Sequence, residues 1–363
     1  IAEQDSRRLA FPVVVGGAAI NRDFGRRIAF LDEGSRYFEP GVFYAKDAFE
    51  GLDIMDALTG DRRDDFVREI QVAAEKSRDA AKAAPARPKA GDKTGRDHLS
   101  RVDPPRAPFF GKRTIEHVPP AELWPHFDLR SLYRLSWGAA NLKGAEWDRI
   151  VREEFEPRLR GYEALAEREP VISPRVVYGY FPAAGLGDDV IVYDPQDPKR
   201  EVGRFRFSRQ IGGEYLCLAD YLREPENGAA SDVIALQVVT MGREVSQRID
   251  ALQHSGDYSE SYYLHGFSVQ SAEALAEHTH RRIRAELGLD SDRGKRYSWG
   301  YGACPDLSQH ELVWRLLDAQ NALGVELTEA FQIVPEQSTA ALVIHHPQAS
   351  YFNAAAVREL ATA

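Results

Sequence analysis

Arg296–Asp306, RYSWGYGACPD, packs an arginine, three aromatics, two glycines and a Cys-Pro step into eleven residues. That density of turn formers excludes a regular helix. Gly300 and Gly302 can take positive φ and let another group approach the backbone, and Arg296 offers a planar fork of donors suited to a carboxylate. Tyr301, between the glycines, presents a ring and a hydroxyl. On the residues alone two readings stand: a loop that receives a ligand, or a tight surface turn in which an arginine stacks on a tyrosine.

Working outward, LTEAFQIVPEQSTAALVIHHPQASYF (Leu327–Phe352) places a His-Pro step ahead of an aromatic pair. Upstream lie FDLRSLYRLSWGAANLKG (Phe127–Gly144), YGYFPAAGLGDDVIVY (Tyr178–Tyr193) and CLADYLREPENG (Cys217–Gly228). Together with the R-x-x-x-G-Y-x-A-C-P loop, these blocks resemble, in the same order, the S-adenosylmethionine-binding activation domain of cobalamin-dependent methionine synthase. FPVVVGGAAIN and YAKDAF, near the start, resemble the last strand ends of the cobalamin-binding domain that precedes it in that family.

Composition bounds the answer independently. At 363 residues, 43% hydrophobic and 28% charged, the chain can bury a large core and holds more than one domain. A net charge of −10 argues against a nucleic-acid partner for the surface as a whole, and no apolar run is long enough to span a membrane as a helix. Two cysteines, Cys217 and Cys304, make neither a disulfide framework nor a zinc spacing, which fits a reducing cytoplasm. The opening IAEQDSRR lacks the apolar core of a secretory signal, and the chain reads as a C-terminal fragment of a longer protein.

Phe11–Val15 is a short apolar run ended by Gly16-Gly17 and followed by the helix-compatible AINRDFGRRIAFLD. Gly41–Ala45 gives a second strand, and Asp47 can cap the helix after it. Two such units are half of a doubly wound α/β sheet, whose ligands lie outside the carboxyl ends of the strands. A bare strand-to-helix turn would look the same. The resemblance implies a flavodoxin-like cobalamin-binding domain over residues 1–82, with Gly16, Gly17, Ala18 and Ala48 lining the pocket for the nucleotide tail. The family's cobalt-ligating Asp-x-His-x-x-Gly motif does not occur, so no metal ligand is assigned, and the chain by itself is expected to hold cobalamin weakly.

Asp61–Lys82 is a charged helix with Phe66, Val67, Ile70, Val72 and Ala73 on its drier side. Residues 83–108 hold five prolines and many basic side chains, and read as a linker that runs over the surface. A second domain spans 109–353, with 354–363 a tail. Its alternating runs VVYGYF, DVIVYD and DVIALQVVTMG, interleaved with helical runs at Glu146–Arg168 and Gln270–Leu287, predict an α+β domain built on a largely antiparallel sheet with surrounding helices. The resemblance adds that this sheet is bent.

Ala272, Leu275, Ala276, Thr279, Ile283 and Leu287 recur at helical spacing as a buried stripe, with Glu273 just off it. Asp128 reads as the N-cap of the following helix. The resemblance implies more: Arg296 pairs the carboxylate of S-adenosylmethionine, Asp128 its ammonium, and Glu273 adds negative potential near the sulfonium. By the same resemblance Tyr301 lies near the transferred methyl, Ala303 and Tyr351 meet the adenine, and Gly300 and Phe352 belong to the same ligand site. No protein group is the nucleophile. In the family it resembles, the acceptor is cob(I)alamin, produced with an electron from a flavodoxin-like donor, and the function this implies is reductive methylation that reactivates a methyltransferase.

The chain departs from the family pattern in places. GLDSDRGK before Arg296 is shorter than the segment many relatives carry there, and lacks an acidic residue that stands near the ligand in them. Gly302 replaces a proline, and Phe352 a second tyrosine. The competing reading is a non-catalytic module that docks the corrinoid domain and the electron donor. His345 and His346 are adjacent, so on a strand they face opposite ways and do not converge on one metal.

Overall fold

The computed structural model describes residues 1–16, 22–45, 48–83, 94–210, 213–290 and 293–354. They fall into two units, Ile1–Lys93 and Thr94–Ala363. In the first, the chain runs through β1 (Val13–Gly16), the helix Arg22–Ile28, a hairpin of β2 (Phe30–Leu31) and β3 (Arg36–Tyr37), β4 (Val42–Ala45), and the helices Ala48–Thr59 and Arg63–Ala83. β1 and β4 pair in parallel, Val13 beside Val42 and Gly16 beside Ala45. A Cβ on Gly16 would stand 2.8 Å from the Ala45 carbonyl oxygen, so the close approach of the two strands itself demands glycine there.

Two of the sequence expectations shift. AINRDFGRRIAFLD does not continue as one helix: it stops at Ile28, and Phe30 crosses to Tyr37, their rings edge to face at 5.5 Å. On the charged helix, Val72 is exposed and Ala74 is buried in its place. Phe66, Val67, Ile70 and Ala74 share one face at helical spacing, whereas Val72 lies two positions from Ile70 and points away. Asp47, expected as a cap, lies outside the described residues.

The second unit is organised on one seven-stranded sheet. Its strands are β5 (Gly111–Ile115), β6 (Arg175–Leu186), β7 (Asp189–Asp194), β8 (Asp197–Arg206), β9 (Asp232–Thr240), β10 (Lys295–Ser298) and β13 (Ser338–Ile344), while β11 (Glu326–Leu327) and β12 (Ile333–Val334) form a separate pair. The order is β10-β13-β9-β6-β7-β8, with β5 also on β6, and every pairing is antiparallel. This matches the expected α+β domain with a largely antiparallel sheet.

Alternation along β9 sends Val233, Ala235 and Val239 to one face and Ile234, Leu236 and Val238 to the other. Both faces are covered. The first packs on the long helix Tyr258–Glu286 and the aromatic cluster of Tyr133, Trp137, Phe155, Tyr162 and Phe267; the second packs on Leu216–Leu222, Trp299, Cys304 and the helices His310–Leu317 and Ala319–Leu323. Gln237, on the first face, is fully buried and donates to the Ala276 carbonyl at 3.0 Å, tying the central strand to the long helix.

The long helix begins twelve residues before the expected Gln270, at Tyr258, where Asp257 accepts from the Glu260 backbone at 3.1 Å. Its start is rich in aromatics and contains Gly266, a pattern that reads poorly as helix. A Cβ on Gly266 would meet the Trp137 ring at 2.8 Å, so packing, not propensity, selects the glycine. Glu146–Arg168 is helical throughout, with a wide turn at Val151–Phe155 just ahead of Pro157, which has no N–H to give.

The stretch expected as a linker divides. Residues 84–93 lie outside the described residues, and from Thr94 the chain packs on the second unit. Arg96 donates to the carbonyls of Leu222, Gly185 and Ala219 at 2.5, 3.2 and 2.9 Å, Thr94 bonds Asp220 at 3.1 Å, and Ser100 reaches Gln348 at 2.7 Å. A basic, apolar-poor segment thus docks by hydrogen bonds to backbone carbonyls, a mode that composition does not register.

Candidate functional site

β10 presents Arg296 toward the long helix, where its Nη2 stands 3.0 Å from Glu273 Oε2. The arginine side chain is 16% exposed and the glutamate 41%, so the pair is half in water. Arg296 Nη1 is buried without a hydrogen-bond partner. A guanidinium nitrogen can only donate, so the site offers one unanswered donor pointing away from the ion pair.

After Ser298 the chain turns tightly. Gly300, at φ +89°, accepts the geometry that lets its N–H donate to the Cys304 carbonyl at 2.9 Å, and the Cys304 N–H returns to Tyr301 at 2.9 Å. Tyr301 is exposed at the tip, its hydroxyl pushed up by burial of the oxygen and by the Glu273 charge, with Arg296 opposing. Gly302 packs on the segment after Phe352: a Cβ there would meet Asn353 at 2.9 Å, and its carbonyl accepts from Ala354. Ala303 and Cys304 turn inward into the core, and burial pushes the Cys304 thiol up to about 12, as it does that of Cys217.

Tyr351 is exposed beside Tyr297, rings at 5.6 Å and edge to face, within the fields of Arg296, Glu277 and Arg284. Phe352 is half-buried against the sheet's second face. The structure therefore brings Arg296, Glu273, Tyr301 and Tyr351 together. Asp128 is the N-cap of Leu129–Ser131, accepting from the Ser131 backbone at 3.0 Å and its hydroxyl at 2.6 Å, contacts that lower its pKa. Its neighbour Phe127 packs on Phe267 of the long helix, 5.7 Å between rings.

The sequence reading missed the continuation of this surface along the helix. Glu273, Glu277, His280 and Arg284 recur at spacings of four, three and four, a single stripe. Burial alone would raise Glu277, but hydrogen bonds from His280 at 3.2 Å and Arg281 at 3.0 Å hold it down at about 2. Burial lowers His280, while the Glu277 carboxylate opposes the shift. Of the described concavities, a groove of about 760 Å³ bordered by Arg243, His310 and Pro335 and another of about 510 Å³ at Arg158 and Glu260 are lined by other residues.

In the first unit, Gly16 ends β1 and Ala48 starts the helix after β4, both at the carboxyl end of the parallel pair. Gly17 and Ala18 lie outside the described residues. His345 and His346 diverge as expected: His345 Nε2 donates to Asp232 at 2.7 Å and His346 Nε2 to the Ser100 carbonyl at 2.9 Å. Among the described residues no group of three or more His, Cys, Asp or Glu side chains converges to hold a metal, and no helix is long and apolar enough to cross a membrane.

Burial lowers five histidines, His126, His278, His280, His310 and His346, while Glu336 raises the half-exposed His265. An unfolded histidine protonates near pH 6.5, so below that value the unfolded chain takes up protons that these five folded positions refuse. Stability is therefore present above pH 6.5 and lost as pH falls, by up to about 1.4 kcal/mol per pH unit for each histidine, with His265 opposing. Melting temperature should drop between pH 7 and 5. A flat or rising profile would contradict the assignment.

The sequence profile of the vitamin B12 dependent methionine synthase activation domain matches residues 162–361. Methionine synthase of Mycobacterium tuberculosis (strain ATCC 25618 / H37Rv) is 34% identical over 397 residues, covering 97% of this chain and 33% of its own length. That of Mycobacterium leprae (strain TN) is 33% identical over 400 residues, with the same coverage. The chain spans about a third of the length of these curated relatives. Among solved structures, the crystal structure of the MetH reactivation domain bound to AdoHcy superposes with a TM-score of 0.62 at 26% identity, covering 72% of this chain and 87% of that one.

Proposed function

Since the chain belongs to the vitamin B12 dependent methionine synthase activation-domain family, we propose that its second unit binds S-adenosylmethionine and presents the methyl group to reduced cobalamin, reactivating an oxidised methionine synthase in the cytoplasm. The observation that carries this reading is Arg296: a largely buried guanidinium, paired on one side to Glu273 and with Nη1 left unanswered, beside two exposed tyrosines. A methionine carboxylate would satisfy that donor. Glu273 would set negative potential near the sulfonium, and Tyr301 would offer it a ring face.

The reaction asks little covalent chemistry of the protein. Gly300 lets the loop backbone come close to the ligand, Ala303 offers backbone groups to the adenine, and Tyr351 and Phe352 border it. Asp128 has a carboxylate for the ammonium if the Ser131 contacts are exchanged. The first unit we read as the end of a doubly wound cobalamin-binding domain, with small residues at Gly16, Gly17, Ala18 and Ala48 facing the nucleotide tail. Cobalamin, when bound, supplies the electron pair that accepts the methyl, after one-electron reduction by a flavodoxin-like donor.

Calorimetric titration of the 363-residue chain with S-adenosylmethionine tests the reading. Stoichiometric binding is expected, and its absence would return the chain to a docking role. Tyr301→Phe keeps the ring and removes the hydroxyl, so the dissociation constant should hold while reductive methylation in the intact enzyme slows. Equal loss in both would place the hydroxyl in ground-state binding instead.

A further inference from the structure

Residues 94–103 lie across the second unit on polar contacts. At one end Arg96 seats its guanidinium on three backbone carbonyls; at the other, Arg223 Nε donates to the Val102 carbonyl at 2.9 Å and Arg223 Nη2 pairs with Asp103. Between these ends the chain grips the turn His346–Ser350. The Ser100 N–H donates to Gln348 Oε1 at 2.7 Å, and the Ser100 carbonyl accepts from His346 Nε2 at 2.9 Å. His346 uses both ring nitrogens, since its Nδ1 accepts from the Gln348 N–H at 3.1 Å. Tyr297 holds the end of the turn, donating to the Ser350 carbonyl at 2.7 Å, and Tyr351 is the next residue. Apolar contact adds little to the grip on residues 94–103. Of these ten only Gly95 is buried, and Leu99 packs half-buried on the sheet's second face. A marginal segment held by hydrogen bonds opens at lower free energy than the strands beneath it.

We propose that residues 94–103 form a detachable strap that sets the conformation of His346–Ser350 and, through that turn, the position of Tyr351. Ser100 supplies both the donor and the acceptor of the grip, so lifting one residue frees Gln348 and His346 together. Arg96 touches neither of them. It is a positioning residue, which keeps Ser100 in place by anchoring the strap in its socket of carbonyls. Because the second unit begins at Thr94, a pull on the chain ahead of it is transmitted to the turn before Tyr351. The strap stands whatever the ligand is; only its effect on Tyr351 as a ligand contact rests on the reading that the site takes S-adenosylmethionine.

The test is hydrogen–deuterium exchange of the ligand-free 363-residue chain, read by mass spectrometry, so that it does not depend on ligand binding. In the parent, amides of residues 94–103 should exchange faster than those of β9. Arg96→Ala should speed exchange by about tenfold both in residues 94–103 and in 346–352, with β9 unchanged. Ser100→Pro removes only the N–H given to Gln348, and Leu99, at φ −96° and ψ 137°, already has the backbone that precedes a proline. It should speed exchange in 346–352 while the Gly95 and Asp97 amides keep the parent rate. A rise confined to residues 94–103 in Arg96→Ala would overturn the proposal, because the strap would then hold nothing but itself. Parent-like exchange of 346–352 in Ser100→Pro would overturn it too, since Arg96 would then act through Tyr221, which lies between its Ala219 and Leu222 partners. Exchange of 94–103 as slow as that of β9 in the parent would make the segment a fixed part of the core.

Discussion

Arg296→Ala should weaken S-adenosylmethionine binding by roughly 30- to 1,000-fold, about 2–4 kcal/mol. The size follows from the setting. Removing a guanidinium that is largely out of water strands the ligand carboxylate without a partner, and it also strips Glu273 of its 3.0 Å contact, so negative charge accumulates where a carboxylate must enter. Arg296→Lys should recover only part of the loss, because an ammonium cannot reach Glu273 and a ligand through separate prongs. The dissociation constants of the parent and the two variants decide it. Undiminished binding by Arg296→Ala would make the loop a structural turn.

Asp220→Ala should be the most damaging single change to the second unit, at roughly 3–5 kcal/mol. Its side chain is 1% exposed and accepts four hydrogen bonds from three partners: Arg209 through Nη1 at 2.5 Å and Nη2 at 3.0 Å, the Cys217 N–H at 2.9 Å, and Thr94 at 3.1 Å. Arg209 is 12% exposed and would keep the half-exposed Asp188 as its carboxylate, with the Tyr215 and Gly187 carbonyls. Asp220→Asn keeps most of the hydrogen bonds and should cost less. Chemical denaturation, read as a midpoint shift at constant slope, measures both; an Asp220→Ala loss below about 1 kcal/mol would show that the arginine finds water.

The sheet's faces and the long helix's stripe were readable from period alone. Ala272, Leu275, Ala276, Thr279, Ile283 and Leu287 are all buried, because a helix of this kind is stabilised by the face it packs. The strand runs VVYGYF, DVIVYD and DVIALQVVTMG became β6, β7 and β9 for the same reason. Strand order was not readable, since pairing β13 between β9 and β10 depends on contacts far apart in the chain. Of the site, Arg296 and Glu273 were named singly, but their ion pair spans 23 positions and leaves no local trace. His280 and Arg284 did leave one, the four-three-four spacing after Glu273, which the buried stripe beside it does not include. Asp128 read correctly as a cap.

Glu273 and Arg296 both ride on regular elements that the core holds independently of each other. Gln237 fixes the helix to the central strand through Ala276, and β10 is zipped along β13 from Lys295 opposite Ile344 to Ser298 opposite Ala341. The connection between helix and strand does not set the distance between the two charges. Lineages of this fold can therefore lengthen or shorten that crossing without moving the guanidinium, and an engineer grafting a longer, more acidic loop before Lys295 could retune ligand affinity while leaving the ion pair where it is.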